Sequence, residues 1–242
     1  MKQTLLALLF VLGSFHLSAQ SLTGTNGLFK IPSAYVAPDG HSYIGASFYP
    51  KGYYELYGNG NRFTGMPTFI TLSFYDRVEF MFRYTHQLGQ VVSFETGYFP
   101  DRMFTVRYRL VNEGYNYPAI TIGLHDFSEA FGGTTVLPNF YASYLVSSKT
   151  FETPDLIFGT TLGYGFDLTD SYNPPLFEGF FTGVEVTFTH FPYVTLVAEY
   201  DSESFNAALK TTVLGHLHFA VGLLDMQALS GFFTYRFNLS NR

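Results

Sequence analysis

Between Arg77 and Thr85 the chain alternates strictly: Val78, Phe80, Phe82 and Tyr84 on one parity, Glu79, Met81 and Arg83 on the other. A period of two is the mark of a β-strand with one apolar and one polar face. Phe104, Val106, Tyr108 and Leu110 interleave with Thr105, Arg107 and Arg109, and Leu217, Phe219, Val221 and Leu223 with His216, His218, Ala220 and Gly222. Strands are predicted near Ser42–Tyr49, Thr68–Phe74, Arg77–His86, Met103–Val111, Ala119–Asp126 and Phe140–Ser148. More follow near Asp155–Tyr164, Phe181–His190, Tyr193–Asp201, Asn206–Val213, His216–Leu224 and Ser230–Leu239. The pattern predicts an all-β fold of about twelve strands with an apolar face on each.

Those faces meet each other in a sandwich and lipid in a membrane barrel. Connector lengths favour the barrel. Tyr75-Asp76-Arg77, Phe191-Pro192 and Leu214-Gly215 are tight turns, whereas Tyr49–Pro67, Gln87–Arg102, Phe127–Pro138 and Gly165–Gly179 are long and rich in Gly, Pro, Asn and Tyr. Short turns at one end and long loops at the other are the asymmetry of outer-membrane barrels. Composition points the same way. Aromatic residues are 19% of the chain and charged residues 13%, the latter roughly half the usual quarter of a soluble protein. A barrel needs an outward apolar band and aromatic girdles; with no Trp, Tyr and Phe would form the girdles. The expected fold is a single antiparallel up-and-down transmembrane barrel over residues 41–242.

Residues 1–20 read as a secretory signal peptide: Lys2, an apolar run from Leu5 to Leu12, and small residues at Ser18-Ala19, with cleavage near Ala19 or Gln20. The expected destination is the bacterial outer membrane by way of the periplasm. Residues 21–40, polar and punctuated by Gly and Pro, read as an N-terminal leader or first edge strand. The chain has no cysteine, so neither a disulfide framework nor a lipidated thiol is available. Loss of Lys2 leaves 12 basic against 19 acidic residues, which argues against nucleic acid as a partner. Phe233, Tyr235 and Phe237 on the last strand resemble the aromatic signal read by barrel-assembly machinery.

Once apolar faces are turned to lipid, the polar parity must turn inward. The lumen-lining candidates are Arg77, Glu79, Arg83, Arg107, Arg109, His125, Glu199, Asp201, Lys210, His216, His218 and Arg236. Two roles are open: a structural polar network filling a narrow barrel, or a path for a glycan, with Arg contacting carboxylates and Tyr stacking on sugar rings. His216 and His218, two apart, could chelate a metal with His125 or Asp126, but polar filling is the simpler expectation, and no cofactor is expected. Enzyme motifs are thin: H-E-x-x-H, G-x-S-x-G and a phosphate loop are all missing. His86 beside Thr85 and His190 beside Thr189 are the only positions suggesting a barrel hydrolase, and Glu185 with Glu199 the only suggestion of a glycosidase.

Several stretches together resemble the YjbH-type family of outer-membrane β-barrel proteins linked to exopolysaccharide and capsule production. They are GLFKIPSAYVAPDG (Gly27–Gly40), DRMFTVRYRLVNEG (Asp101–Gly114), YPAITIGLHDF (Tyr117–Phe127), YLVSSK (Tyr144–Lys149), LVAEYD (Leu196–Asp201) and YRFNL (Tyr235–Leu239). The resemblance implies a non-enzymatic barrel in exopolysaccharide or capsule secretion or assembly, as a narrow channel or as a barrel partner of export proteins, with polysaccharide, outer-membrane lipid and assembly machinery as contacts. Alternatives are a general small-solute or oligosaccharide porin, a lumen-plugged structural barrel and a barrel hydrolase.

Overall fold

Twelve alternating segments pair edge to edge until the last meets the first. The computed structural model describes residues 20–53, 63–89, 101–126, 141–168 and 176–239. Residues 1–19 of the expected signal peptide and the middles of the four long loops lie outside them. The strands are β1 His41–Phe48, β2 Gly65–Phe74, β3 Val78–Gln87, β4 Asp101–Val111, β5 Ala119–His125 and β6 Ala142–Glu152. They continue with β7 Leu156–Phe166, β8 Gly179–Phe188, β9 Val194–Tyr200, β10 Phe205–Val213, β11 Leu217–Leu224 and β12 Ala228–Asn238. Each pairs antiparallel with its sequence neighbours, and β1 closes on β12 from His41↔Asn238 to Phe48↔Gly231. Closure satisfies every strand's backbone and leaves no edge, the condition for β-structure in lipid.

The alternation sorts cleanly by face. Every strand exposes a large apolar side chain outward: Ile44, Met66, Phe80, Phe104, Ile122 and Leu145 on the first six. Leu162, Val184, Leu196, Leu209, Val221 and Phe233 do so on the rest. A continuous apolar belt around a closed sheet is a lipid-facing surface, far beyond the apolar patch a soluble monomer shows. Aromatics rim it at both ends, Tyr108, Phe188, Tyr193 and Tyr235 at the short-turn end and Phe48, Tyr164, Phe180 and Phe205 at the long-loop end. These Tyr and Phe residues form the girdles without Trp.

Residues 20–36 are neither leader nor edge strand. A barrel closed by β1 and β12 has no edge to offer, and the segment folds instead inside it. Among the described residues its bridges are internal, Gln20↔Asn26 and Gly27↔Pro32. Leu22, Leu28, Phe29, Ile31 and Ala34 are wholly buried, packed in one cluster with wall residues Phe69, Met81, Met103, Tyr144, Phe181 and Val197. The reason is dimensional: an eight-stranded barrel is just filled by its own side chains, and a twelve-stranded one is wider. Small inward residues make room. Gly183 on β8 faces Leu28, and a Cβ on Gly24 would stand 2.7 Å from the Phe69 ring.

Candidate functional site

The inward parity of the wall converges on this luminal segment. On β1, β2 and β5, the hydroxyls of Ser47, Thr71 and Thr121 donate to the carbonyls of Leu22 (2.7 Å), Gly24 (2.6 Å) and Ala34 (2.6 Å). From β6, Ser148 Oγ accepts from Ala34 N–H at 2.8 Å. The segment has little ladder of its own, so the wall's side chains satisfy the backbone groups that a buried loop would otherwise leave orphaned.

The charged residues do the same work. Arg107 on β4, wholly buried, donates to Glu79 Oε1 at 2.8 Å, to Asn26 O at 3.1 Å, and to the carbonyls of Ser33 and Tyr35. Glu79 on β3 accepts from Asn26 N–H (3.2 Å) and Asn26 Nδ2 (2.5 Å). Across the lumen, Glu199 on β9 accepts from Phe29 N–H (2.9 Å), Lys30 N–H (2.7 Å) and Ile31 N–H (3.4 Å). Lys210 on β10 bridges Gly27 O (2.8 Å) and Glu185 Oε1 on β8 (2.7 Å). Arg83 and Arg109 reach the carbonyls of Thr23 and Val36, each at 3.4 Å. Two pairs fasten the segment at the two rims of the barrel. Lys30 meets Asp201 at 2.5 Å at the long-loop rim, and Tyr35 donates to Glu113 at 2.8 Å at the short-turn rim.

Of the twelve lumen candidates, the structure places Glu79, Arg83, Arg107, Arg109, Glu199, Asp201 and Lys210 against the segment. His125 is buried on the inward face, 3.0 Å from the Tyr144 hydroxyl, and His218 is buried 2.9 Å from the Thr212 hydroxyl. Arg236 shares the inward parity of Thr234 and is half-buried. Arg77 and His216 are corrections. Both are the exposed closing residues of tight turns, because Tyr75 and Asp76, and Leu214 and Gly215, take positive φ and end the alternation there. His216 lies against outward Tyr235, so the two histidines do not converge on a metal. His86 and Thr85 project from opposite faces of β3, whereas His190 meets Thr189 at 3.4 Å in an exposed turn. Glu185 and Glu199 are each engaged, by Lys210 and by the segment.

Sequence reasoning did not reach the partner of all these charges. The signal available was the apolar set Leu22, Leu28, Phe29 and Ile31 inside a polar stretch, too irregular for a strand and too apolar for a solvated leader.

The rim carboxylates give a pH expectation. Burial works to raise Asp201, but the Lys30 charge and hydrogen bond, with Asn206 and the Ser204 N–H, outweigh it and hold it below the usual carboxylate range. A depressed folded value means stabilisation present above the ordinary Asp value of about 3.9 and lost as pH falls through the lower folded value. The stability gap between the native chain and Asp201→Asn is therefore expected to stay constant from about pH 7 to 5 and to close below about pH 4. Urea unfolding followed by circular dichroism at each pH checks this; a gap that closes between pH 7 and 5 contradicts it. Glu113 has the same sign: burial raises it, and Lys149, the Thr150 N–H and Tyr35 together lower it.

The model of the exopolysaccharide biosynthesis protein YbjH family (YjbH) matches residues 19–227, and the chain belongs to that family. Among solved structures it is similar to an outer membrane channel from Pseudomonas putida F1, at 10% identity and a TM-score of 0.38, over 84% of this chain and 98% of that one. Comparison with curated proteins returns no match.

Proposed function

We propose that the protein is a non-enzymatic outer-membrane β-barrel serving exopolysaccharide or capsule secretion, closed at rest by its own residues 20–36 and working with export proteins as a gated barrel partner. The supporting observation is the lumen itself. Its buried charges converge on a segment of the same chain, an arrangement suited to a barrel that is shut until engaged. An always-open porin needs that space for water and solute, so the general-porin alternative fits the geometry less well. The family match supports a role connected with exopolysaccharide. In this reading the short-turn end faces the periplasm, the long loops face outward, and assembly machinery inserts the barrel by its aromatic last strand.

The test is removal of the barrel from a polysaccharide-producing cell. Secreted polysaccharide is expected to fall severalfold, with restoration by the intact chain. Unchanged secretion would refute the role.

A further inference from the structure

We infer that Gln20 is the first residue of the mature chain and that it is modified to pyroglutamate, the neutral lactam in which the end of the luminal segment is buried. The inference does not depend on what the barrel secretes.

Cleavage after Ala19 would leave a free α-amine on Gln20. That end lies inside the barrel. Gln20 is wholly buried and bridges to Asn26, and the Ser21 N–H next to it donates to Thr25 O at 2.8 Å. An α-amine has an ordinary pKa of about 7.7–8.0 and is mostly an ammonium at neutral pH. A buried ammonium needs a counter-charge. The described carboxylates around the segment are already engaged: Glu79 with Arg107 and Asn26, Glu185 with Lys210, Glu199 with the N–H groups of Phe29 and Ile31, and Asp201 with Lys30. Asp101, at the long-loop end of β4, lies in the field of Arg83. The loop that holds Gln20 itself lies against cations, Arg83 on Thr23 O and Arg107 on Asn26 O. A further positive charge there would be repelled as well as desolvated.

Glutamine can remove that charge with its own side chain. The α-nitrogen attacks Cδ and a lactam ring closes. The Cδ–Nε2 bond breaks, and the side-chain nitrogen leaves as ammonia with a proton from the amine. Nothing is oxidised or reduced and no co-reactant is consumed. The α-nitrogen ends as a neutral amide N–H. The departing group strands no carbonyl. The Gln20 amide nitrogen faces Gly24 O at 2.6 Å and Thr25 O at 3.3 Å, and both oxygens have other donors. Thr71 Oγ1 serves Gly24, and the N–H and Oγ of Ser21 serve Thr25. Gln20 is enclosed once β1 meets β12, so the ring forms after signal cleavage and before closure, while the end is still in the periplasm.

The test reads the N-terminal peptide of the barrel by mass spectrometry, from outer membranes of producing cells. Free amines are dimethylated at neutral pH before digestion, which separates rings formed in the cell from rings formed during handling. The expected peptide starts at residue 20, carries no dimethyl group and is lighter than its glutamine form by one ammonia. Pyroglutamyl peptidase should remove its first residue. A dimethylated Gln20, or a first residue other than Gln20, overturns the inference. Burial of the ring is tested on residues 20–242, released from a fusion partner so that residue 20 comes first. The cyclised chain is compared with Gln20→Asn, which keeps an amide and holds the ammonium. Trypsin cleavage after Lys30 in the refolded barrel is expected to be severalfold faster in Gln20→Asn. Equal cleavage overturns the claim that the luminal end is seated as a neutral lactam.

Discussion

Arg107→Ala is expected to cost the folded barrel about 3–5 kcal/mol, the loss typical of breaking a buried ion pair from one side. The guanidinium is wholly buried and serves Glu79 together with three carbonyls of the luminal segment. Its removal leaves the Glu79 carboxylate buried without its cation and strips donors from Asn26, Ser33 and Tyr35. For a fully buried group an unpaired carboxylate costs far more than the Coulomb energy of an exposed pair. The pair Arg107→Met with Glu79→Gln should recover a large part of the loss, because Gln still accepts from Asn26 while the uncompensated charge is gone. Urea unfolding in detergent micelles, run as a double-mutant cycle, measures both. A single-variant loss below about 1 kcal/mol, the worth of a surface pair, would contradict the placement of Arg107 in a closed lumen.

Leu162→Arg is expected to reduce transfer of the folded barrel into lipid by about 2–4 kcal/mol, the cost of a cationic side chain near the midplane of a barrel's lipid face. Leu162 lies in the middle of β7, points outward and is 55% exposed. On a protein surrounded by water, a substitution at so exposed a position changes stability by about 0.5 kcal/mol or less. The two environments thus differ severalfold in predicted effect. Equilibrium folding into short-chain phosphatidylcholine vesicles measures it, and a near-neutral result would contradict the lipid-facing assignment of the belt.

The alternation made the wall legible in advance. Val78 to Tyr84 and Phe104 to Leu110 show which parity faces out, because a one-residue slip would place Arg83 or Arg107 in lipid. About twelve strands were expected and twelve are found among the described residues, since each carries enough apolar period to stand alone as a signal. Turn ends were harder. Arg77 and His216 fit the polar parity on paper, yet type I′-like turns at Tyr75-Asp76 and Leu214-Gly215 lift them out of the strands. Residues 20–36 were harder still. Their structure comes from hydrogen bonds to eight different strands, β1–β6, β9 and β10, and no local period encodes a loop held by long-range hydrogen bonds such as Phe29 to Glu199. The count of inward charges was visible, but their common partner was not, because closure of the barrel around the segment is a property of the whole chain.

Planar-bilayer conductance of the folded chain, residues 20–242, tests the central claim most directly. The account predicts a barrel that inserts and stays silent, and a steady conductance once residues 20–36 are deleted, since the β1–β12 wall closes without them. A steady ohmic conductance from the intact chain, unchanged by that deletion, would contradict a lumen closed by its own N-terminal segment.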